Sequence, residues 1–261
     1  MAFASISMGQ YVPIQSYVHS LDPRAKLLLL VVLLVAVFPA SSLVSIAVWG
    51  LVLCGIARAA RITLGMLLRS CRPVLFLAFF TFILNAASVM WRDGDAGDAF
   101  LVGLFAASRL ILLVSFAVLL PLTTAPLEMA DGFESLLSPF ARLGFPAHEC
   151  AMMMGIALRF IPLLTDEADR VVKAQLSRGA KLDQGNFIRR MVAFFPILIP
   201  LFVIIFRRAD ELALAMEARG YRGGVGRTKR RPLSWKKQDT RALIFVILPI
   251  VAISVFRIAY F

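Results

Sequence analysis

Histidine, cysteine and charge are all scarce in this chain of 261 residues. With only two histidines, His19 and His148, no Cys/His cluster at metal-binding spacing can be assembled, and no metal site is expected. The three cysteines, Cys54, Cys71 and Cys150, form neither a CxxC pair nor an even disulfide framework, so they read as small buried apolar side chains. Charged residues make up 17% of the chain, against about 25% in soluble domains. No GxxxxGK[ST] loop is present, which excludes a Walker-type nucleotide site, and GxSxG and HExxH are absent too. The first 20 residues lack a basic segment followed by an apolar core, so no cleavable signal peptide is expected.

Apolar residues are what the chain has instead, at 60% of the total and a mean hydropathy of +0.82. That composition belongs to an integral membrane protein. The apolar runs are long and lack strand alternation, so the spans are helices and not a barrel. The formal charge of +12 would suggest nucleic-acid binding in a soluble protein. Here it is assigned to basic cytoplasmic loops that set orientation, and no nucleic-acid partner is expected.

Residues 27–57 are apolar except at Pro39-Ala40-Ser41-Ser42. One helix of that length would reach about 45 Å, too long for a hydrocarbon core of ~30 Å. Two short passes with a turn near Pro39 are expected. A basic loop over 58–72 follows, with Arg58, Arg61, Arg69 and Arg72, then spans at 73–90 and 99–120 joined by an acidic loop at 91–98. Arg24, Lys26 and the basic loop share one side, which places the N-terminus in the cytoplasm. Asn85 and Arg109 are the notable polar groups inside the spans, too few for an ion-coupled carrier. Arg109 pairs with a loop acid or marks a polar seam.

From residue 125 the character changes. Apolar runs at 150–164 and 192–206 each continue directly into a charged amphipathic segment, the first to Arg178 and the second to Arg219. Each run has about 15 residues where a span usually needs ~20, and Pro162, Pro196 and Pro200 would bend them. Two long bent helices are expected; two full spans are the alternative. The acids at 165–169 and 210–211 are followed by basic residues, so solvated ion pairs are expected there and not catalytic carboxylates. A basic run at 222–237 reads as a juxtamembrane anchor before a last span at 242–261.

Both amphipathic segments end alike, in Ser177-Arg178-Gly179 and Ala218-Arg219-Gly220. Aligning the arginines superposes Ala168-Asp169 on Ala209-Asp210 and Ala174 on Ala215. Arginine near a helix end followed by glycine is also what a plain C-cap looks like. The duplication favours more. Val171, Ala174, Gln175 and Arg178 share one helix face, as do Leu212, Ala215, Met216 and Arg219. A guanidinium over such a stripe suits a carboxylate in a partner's groove.

At this point the sequence resembles a known family, the transmembrane T components of energy-coupling factor transporters. Gly9-Gln10-Tyr11-Val12-Pro13, Ser16, His19, Leu21-Asp22-Pro23-Arg24 and Lys26 are similar to the family's opening motif. Arg159 to Leu164, Glu167-Ala168-Asp169-Arg170 and Ala174-Gln175 resemble its first coupling helix. Arg208 to Ala213 and Glu217-Ala218-Arg219-Gly220-Tyr221 resemble its second. Ser177 stands where the family usually has alanine.

The resemblance implies an all-α, polytopic membrane helical protein with two long cytoplasmic-side coupling helices. It divides into transmembrane helices at 1–124, a coupling module at 125–225, and a basic linker with a final helix at 226–261. It implies a non-catalytic subunit of the cell membrane, without a cofactor, working in vitamin or micronutrient uptake. The partners implied are two cytoplasmic ABC ATPases and a membrane S component that captures the substrate. Ser177, Arg178, Gly179 and Ala218, Arg219, Gly220 would bind one ATPase each. The apolar halves, with Met152, Met153, Phe194, Phe195 and Phe202, would face the S component. Flexible methionines suit a surface that accepts varied partners. A subunit dedicated to cobalt or nickel import is the alternative within the family. A membrane enzyme and a self-sufficient carrier are the alternatives outside it.

Overall fold

The computed structural model describes residues 14, 16–40, 42–139, 146–180, 187–223 and 233–260, and every regular element among them is helical. Gly9 to Pro13 of the opening motif and most of the basic run lie outside the described residues. By its internal contacts the chain divides into two units, one of residues 9–136 and 231–261, the other of 1–8 and 137–230.

Asp22 starts the first helix, α1 (Pro23–Val37). Its carboxylate accepts the Arg24 amide at 2.9 Å, and Pro23 takes the first helical position, where no N–H is needed. The chain turns at Phe38-Pro39, and Ser42 and Ser45 form a reciprocal capping box at the head of α2 (Leu43–Ala59). The expected break at Pro39 is therefore present. By their lengths α1 and α2 reach only about 22 and 25 Å.

The next element departs from expectation. Helix α3 (Leu64–Asp93) begins nine residues before the expected span and absorbs Arg69 and Arg72. The supposed basic loop shrinks to the turn Ala60 to Thr63, because Leu64 to Leu68 are good helix formers apart from one glycine. The acidic loop contracts likewise. Gly94, with φ 69°, ends α3 in the left-handed conformation, and Asp95 caps α4 (Ala96–Thr123) by accepting the Gly97 amide at 2.9 Å. Among the described residues, Gly65–Arg92 and Ala96–Thr123 are long and apolar enough to cross a membrane. Much of their outer surface is apolar, with Phe76 and Phe79 exposed on α3 and Phe100 on α4.

The α3–α4 hairpin closes on Gly103. A Cβ there would stand 2.8 Å from the Phe82 carbonyl and 3.2 Å from Ala86 Cβ, so only glycine admits this approach. Phe82 and Phe100 meet edge-on beside it, with ring centroids 5.6 Å apart. The core of this unit gathers Leu33 and Val37 of α1, Trp49 and Leu53 of α2, and Leu112, Phe116 and Leu119 of α4. Trp49 stands edge-on to Phe116. Helix α5 (Pro126–Leu137) lies against α1 through Gly132, where an added Cβ would meet Leu27 and Pro23 at 3.0 and 3.1 Å.

A buried polar node joins α1, α4 and α8 (Lys237–Tyr260). Lys26 is 5% exposed, and its ammonium donates to the carbonyls of His19 at 3.1 Å and Thr123 at 3.0 Å. Asp239, 1% exposed, accepts the Asp22 amide at 2.8 Å and the Lys236 amide at 2.7 Å. Lys26 is therefore not a loop cation that sets orientation but a buried clasp.

The in-span polar groups are satisfied by backbone. Arg109 donates to the Phe38 carbonyl at the C-terminal cap of α1, and Asn85 donates to Thr81 one turn back. Among the described residues Arg109 has no loop acid as an ion-pair partner. Cys71 is buried beside Ser115, whereas Cys54 is exposed on α2, so the expectation of burial fails for Cys54.

Replacing Gly103 by alanine should force the hairpin apart and destabilise the protein by about 1–3 kcal/mol. Gly50→Ala, where nothing lies within 4 Å of the new methyl, should be neutral or gain up to about 1 kcal/mol. Thermal unfolding in mild detergent checks the pair; equal stability of the two variants would refute the close-approach account.

Candidate functional site

The two Arg-Gly ends belong to α6 (Ala147–Ser177) and α7 (Phe187–Ala218). Each helix runs unbroken from its apolar half into its charged half, with Pro162 inside α6 and Pro196 and Pro200 inside α7. Both close in the same way. At the first, the Gly179 amide donates to the Leu176 carbonyl at 2.9 Å and the Ala180 amide to Gln175 at 3.0 Å. At the second, Gly220 donates to Glu217 at 2.8 Å and Tyr221 to Met216 at 3.0 Å. Gly179 and Gly220 hold φ 86° and 71°. Each pair of bonds is a Schellman cap, with the arginine at the cap position just after the helix and the glycine reversing the chain.

The cap reading is thus correct for both copies, and it fixes where the arginines stand. Arg178 and Arg219 are exposed, and neither has an ion-pair partner among the described residues. The neighbouring acids are engaged in part: Arg170 pairs with Glu167 at 3.3 Å and Arg208 with Glu211 at 2.9 Å, both exposed pairs one turn apart. The first is a solvated ion pair of the kind expected from the sequence, an acid with a base that follows it; in the second the base precedes the acid. Among the described residues no group of three His, Cys, Asp or Glu side chains could hold a metal ion.

The stripe beneath each arginine splits in two, and it splits identically. Val171 and Gln175 are half-buried, as are their counterparts Leu212 and Met216. Ala174 and Arg178 are exposed, as are Ala215 and Arg219. The surface left open at each end is therefore a small residue one turn below a guanidinium.

Helices α6 and α7 pack on each other, and Gln175 Nε2 donates to the Pro196 carbonyl at 3.2 Å. The last turns of α6 meet the apolar half of α7. Pro200 has no N–H to donate, so the Pro196 carbonyl four residues earlier is open to a side-chain donor. From Pro196, Arg219 lies about 35 Å further along α7. The two exposed ends are thus well separated.

The apolar halves present Met153, Met154, Phe194, Phe195 and Phe202 as exposed side chains, while Met152 is half-buried. Ile197 is the buried member of α7 among the described residues of this unit. The opening-motif residues His19, Asp22 and Lys26 build the α1–α4–α8 node in the other unit, with Asp239 as the member that sequence reading missed. Its signal was an acid three residues into an apolar helix, in position to accept the Lys236 amide as a capping box does.

The cobalt transport protein family, CbiQ, matches residues 15–230. Three relatives carry the name energy-coupling factor transporter transmembrane protein EcfT. The one from Thermanaerovibrio acidaminovorans is 52% identical over 248 residues, covering 91% of each chain. That from Acidaminococcus fermentans is 43% identical over 97% of each. The Bacillus subtilis protein is 40% identical over 94% of this chain and 95% of its own.

Gly179→Ala or Gly220→Ala should cost about 1–2 kcal/mol, because an alanine in the left-handed conformation crowds its own carbonyl. The loss should stay local, as faster amide exchange over 175–180 or 216–221. Unchanged exchange in both variants would mean that these bonds do not hold the ends.

Proposed function

The chain belongs to the CbiQ family of cobalt transport proteins, alongside the EcfT proteins, and we propose that it is the coupling subunit of an energy-coupling factor importer. It is a membrane-embedded transporter component and not an enzyme. In the proposed role Arg178 and Arg219 each dock in a groove of a different cytoplasmic ATPase. The apolar halves of α6 and α7 bear on the S component that holds the substrate. ATP-driven movement of the ATPases is carried by α6 and α7 to that component. Nucleotide chemistry is left to the partners, in keeping with the missing phosphate loop.

The observation that carries this reading is the pairing of two identical caps. Each leaves an arginine exposed and without an ion-pair partner among the described residues, over a small residue, and Arg219 lies about 35 Å along α7 from Pro196, where the end of α6 is bonded. A cap alone would not require both guanidiniums to stay free of the acids on their own helices. Full-length similarity to EcfT proteins favours the shared module over a dedicated cobalt importer, and co-purification of several S components would distinguish the two.

Loss of one charge-assisted contact at a buried interface costs about 2–5 kcal/mol. Arg178→Ala or Arg219→Ala should therefore weaken ATPase retention, and the double variant should abolish it. Lysine should rescue only in part if the carboxylate is gripped by two N–H groups. ATPase pull-down and substrate uptake in cells check this, and normal values for the double variant would reduce the motif to a helix cap.

Met153→Ser and Phe195→Ser should reduce S-component retention while ATPase binding persists. Both side chains are exposed within the proposed surface, at 58% and 57%. Loss of both partners together would assign these residues to the fold, and unchanged retention would remove the surface.

A further inference from the structure

A cavity of about 370 Å³ opens between α1, α2, α4 and α8, within one unit of the chain. Its deep wall is apolar, formed by Leu33, Ile56, Phe116, Leu119, Phe245 and Val246. Its polar lining lies at one end only. Tyr17 precedes α1, Lys26 is in the first turns of α1, Thr123 ends α4, and Arg241 is in the first turns of α8. From Thr123 to Phe116 the distance along α4 is about 10 Å. One leaflet's share of the hydrocarbon core is about 15 Å. The space thus runs along the helices through much of one leaflet, wet at the mouth and apolar below. Water gains few partners in such a wall, whereas a hydrocarbon chain fills it.

The rim indicates the headgroup. Arg241 is exposed with no partner among the described residues, and so are the side chains of Lys236, Lys237, Arg58 and Arg61. Arg58 and Arg61 flank Ala59, which lines the cavity. Of the acids at this end, Asp22 and Asp239 are buried and already accept backbone amides, and Glu128, exposed in the first turn of α5, is near enough for its charge to act on Lys26, so the free cations still outnumber the exposed acid. Trp235 donates its indole N–H to Thr240, and Tyr17 donates its hydroxyl to the Gln238 carbonyl, both at the height of the mouth. Tryptophan and tyrosine favour the level of the lipid headgroups. We propose that this cavity holds one acyl chain of an anionic phospholipid, with the phosphate on Arg241 and the cations around it. The site is independent of the coupling role and needs only that this unit be embedded in a bilayer.

The test uses the full chain in phosphatidylcholine vesicles doped with phosphatidylglycerol that carries a photoreactive diazirine in its tail. Adducts should appear on Leu33, Ile56, Phe116 and Phe245. Labelling should exceed that by a phosphatidylcholine bearing the same tail by about fivefold, the equivalent of one cation at the surface. Arg241→Gln should bring the two probes close to parity. Gly55 lines the cavity with nothing within 4 Å of an added Cβ, so Gly55→Phe should plug it and remove the adducts. A benzophenone amino acid in place of Ile56 should crosslink to lipid. Adducts confined to the outer face of α3 at Phe76 and Phe79, equal labelling by both probes, or an Ile56 crosslink to a protein would each overturn the proposal.

Discussion

Hydrocarbon offers no hydrogen bonds, so a backbone group that leaves a helix inside a membrane must find a partner at once. Helix interiors meet this demand automatically; helix ends do not, because several amides and carbonyls are left over at each. Several polar side chains of this protein sit where that surplus arises. Arg109 donates to the Phe38 carbonyl at the end of α1. Lys26 takes Thr123 at the end of α4, and Asp22 and Asp239 accept amides at the heads of α1 and α8. Buried charge here serves the backbone first. This is why an arginine in a span does not by itself mark a transport path.

The same bookkeeping separates structure from recognition at the Arg-Gly ends. Glycine and the amide after it close the carbonyls of the last turn, so the arginine side chain is not needed for the cap. Its positive charge is favourable at the negative end of the helix dipole, by about 0.3–1 kcal/mol at an exposed site. That small term could be supplied by a lysine, or by any nearby cation. A guanidinium held at the same place on two helices, each beside an exposed alanine, is more specific than the cap requires.

Legibility in the sequence followed contact range. The turn at Pro39, the unbroken run from apolar to charged residues, and the two caps are local, and each was readable from spacing and residue type. The ion pair Glu167–Arg170 was readable for the same reason. What was not readable is long-range. Asp239 meets Asp22 across 217 positions. The need for glycine at 103 arises only because the Phe82 backbone comes so near. The extension of α3 back to Leu64 was missed because four arginines suggested a loop, although arginine is a good helix former. The pairing of Gln175 with Pro196 depended on where α6 meets α7, which no periodicity encodes.

Two identical caps need not make two equal contacts. The residue below the first is Gln175, which is committed to α7 through Pro196; its counterpart is Met216, an apolar and adaptable side chain. The residue after the first glycine is Ala180, and after the second it is Tyr221. The first end is thus tied to a neighbouring helix within a turn of its arginine. The second ends a stretch of α7 that runs on for about 35 Å past that tie. A force applied at Arg178 acts close to the α6–α7 junction, while one applied at Arg219 acts at the end of a long lever. In the proposed role a pair of like motors would therefore be read unequally, so that closing them changes the angle between α6 and α7 as well as the position of both.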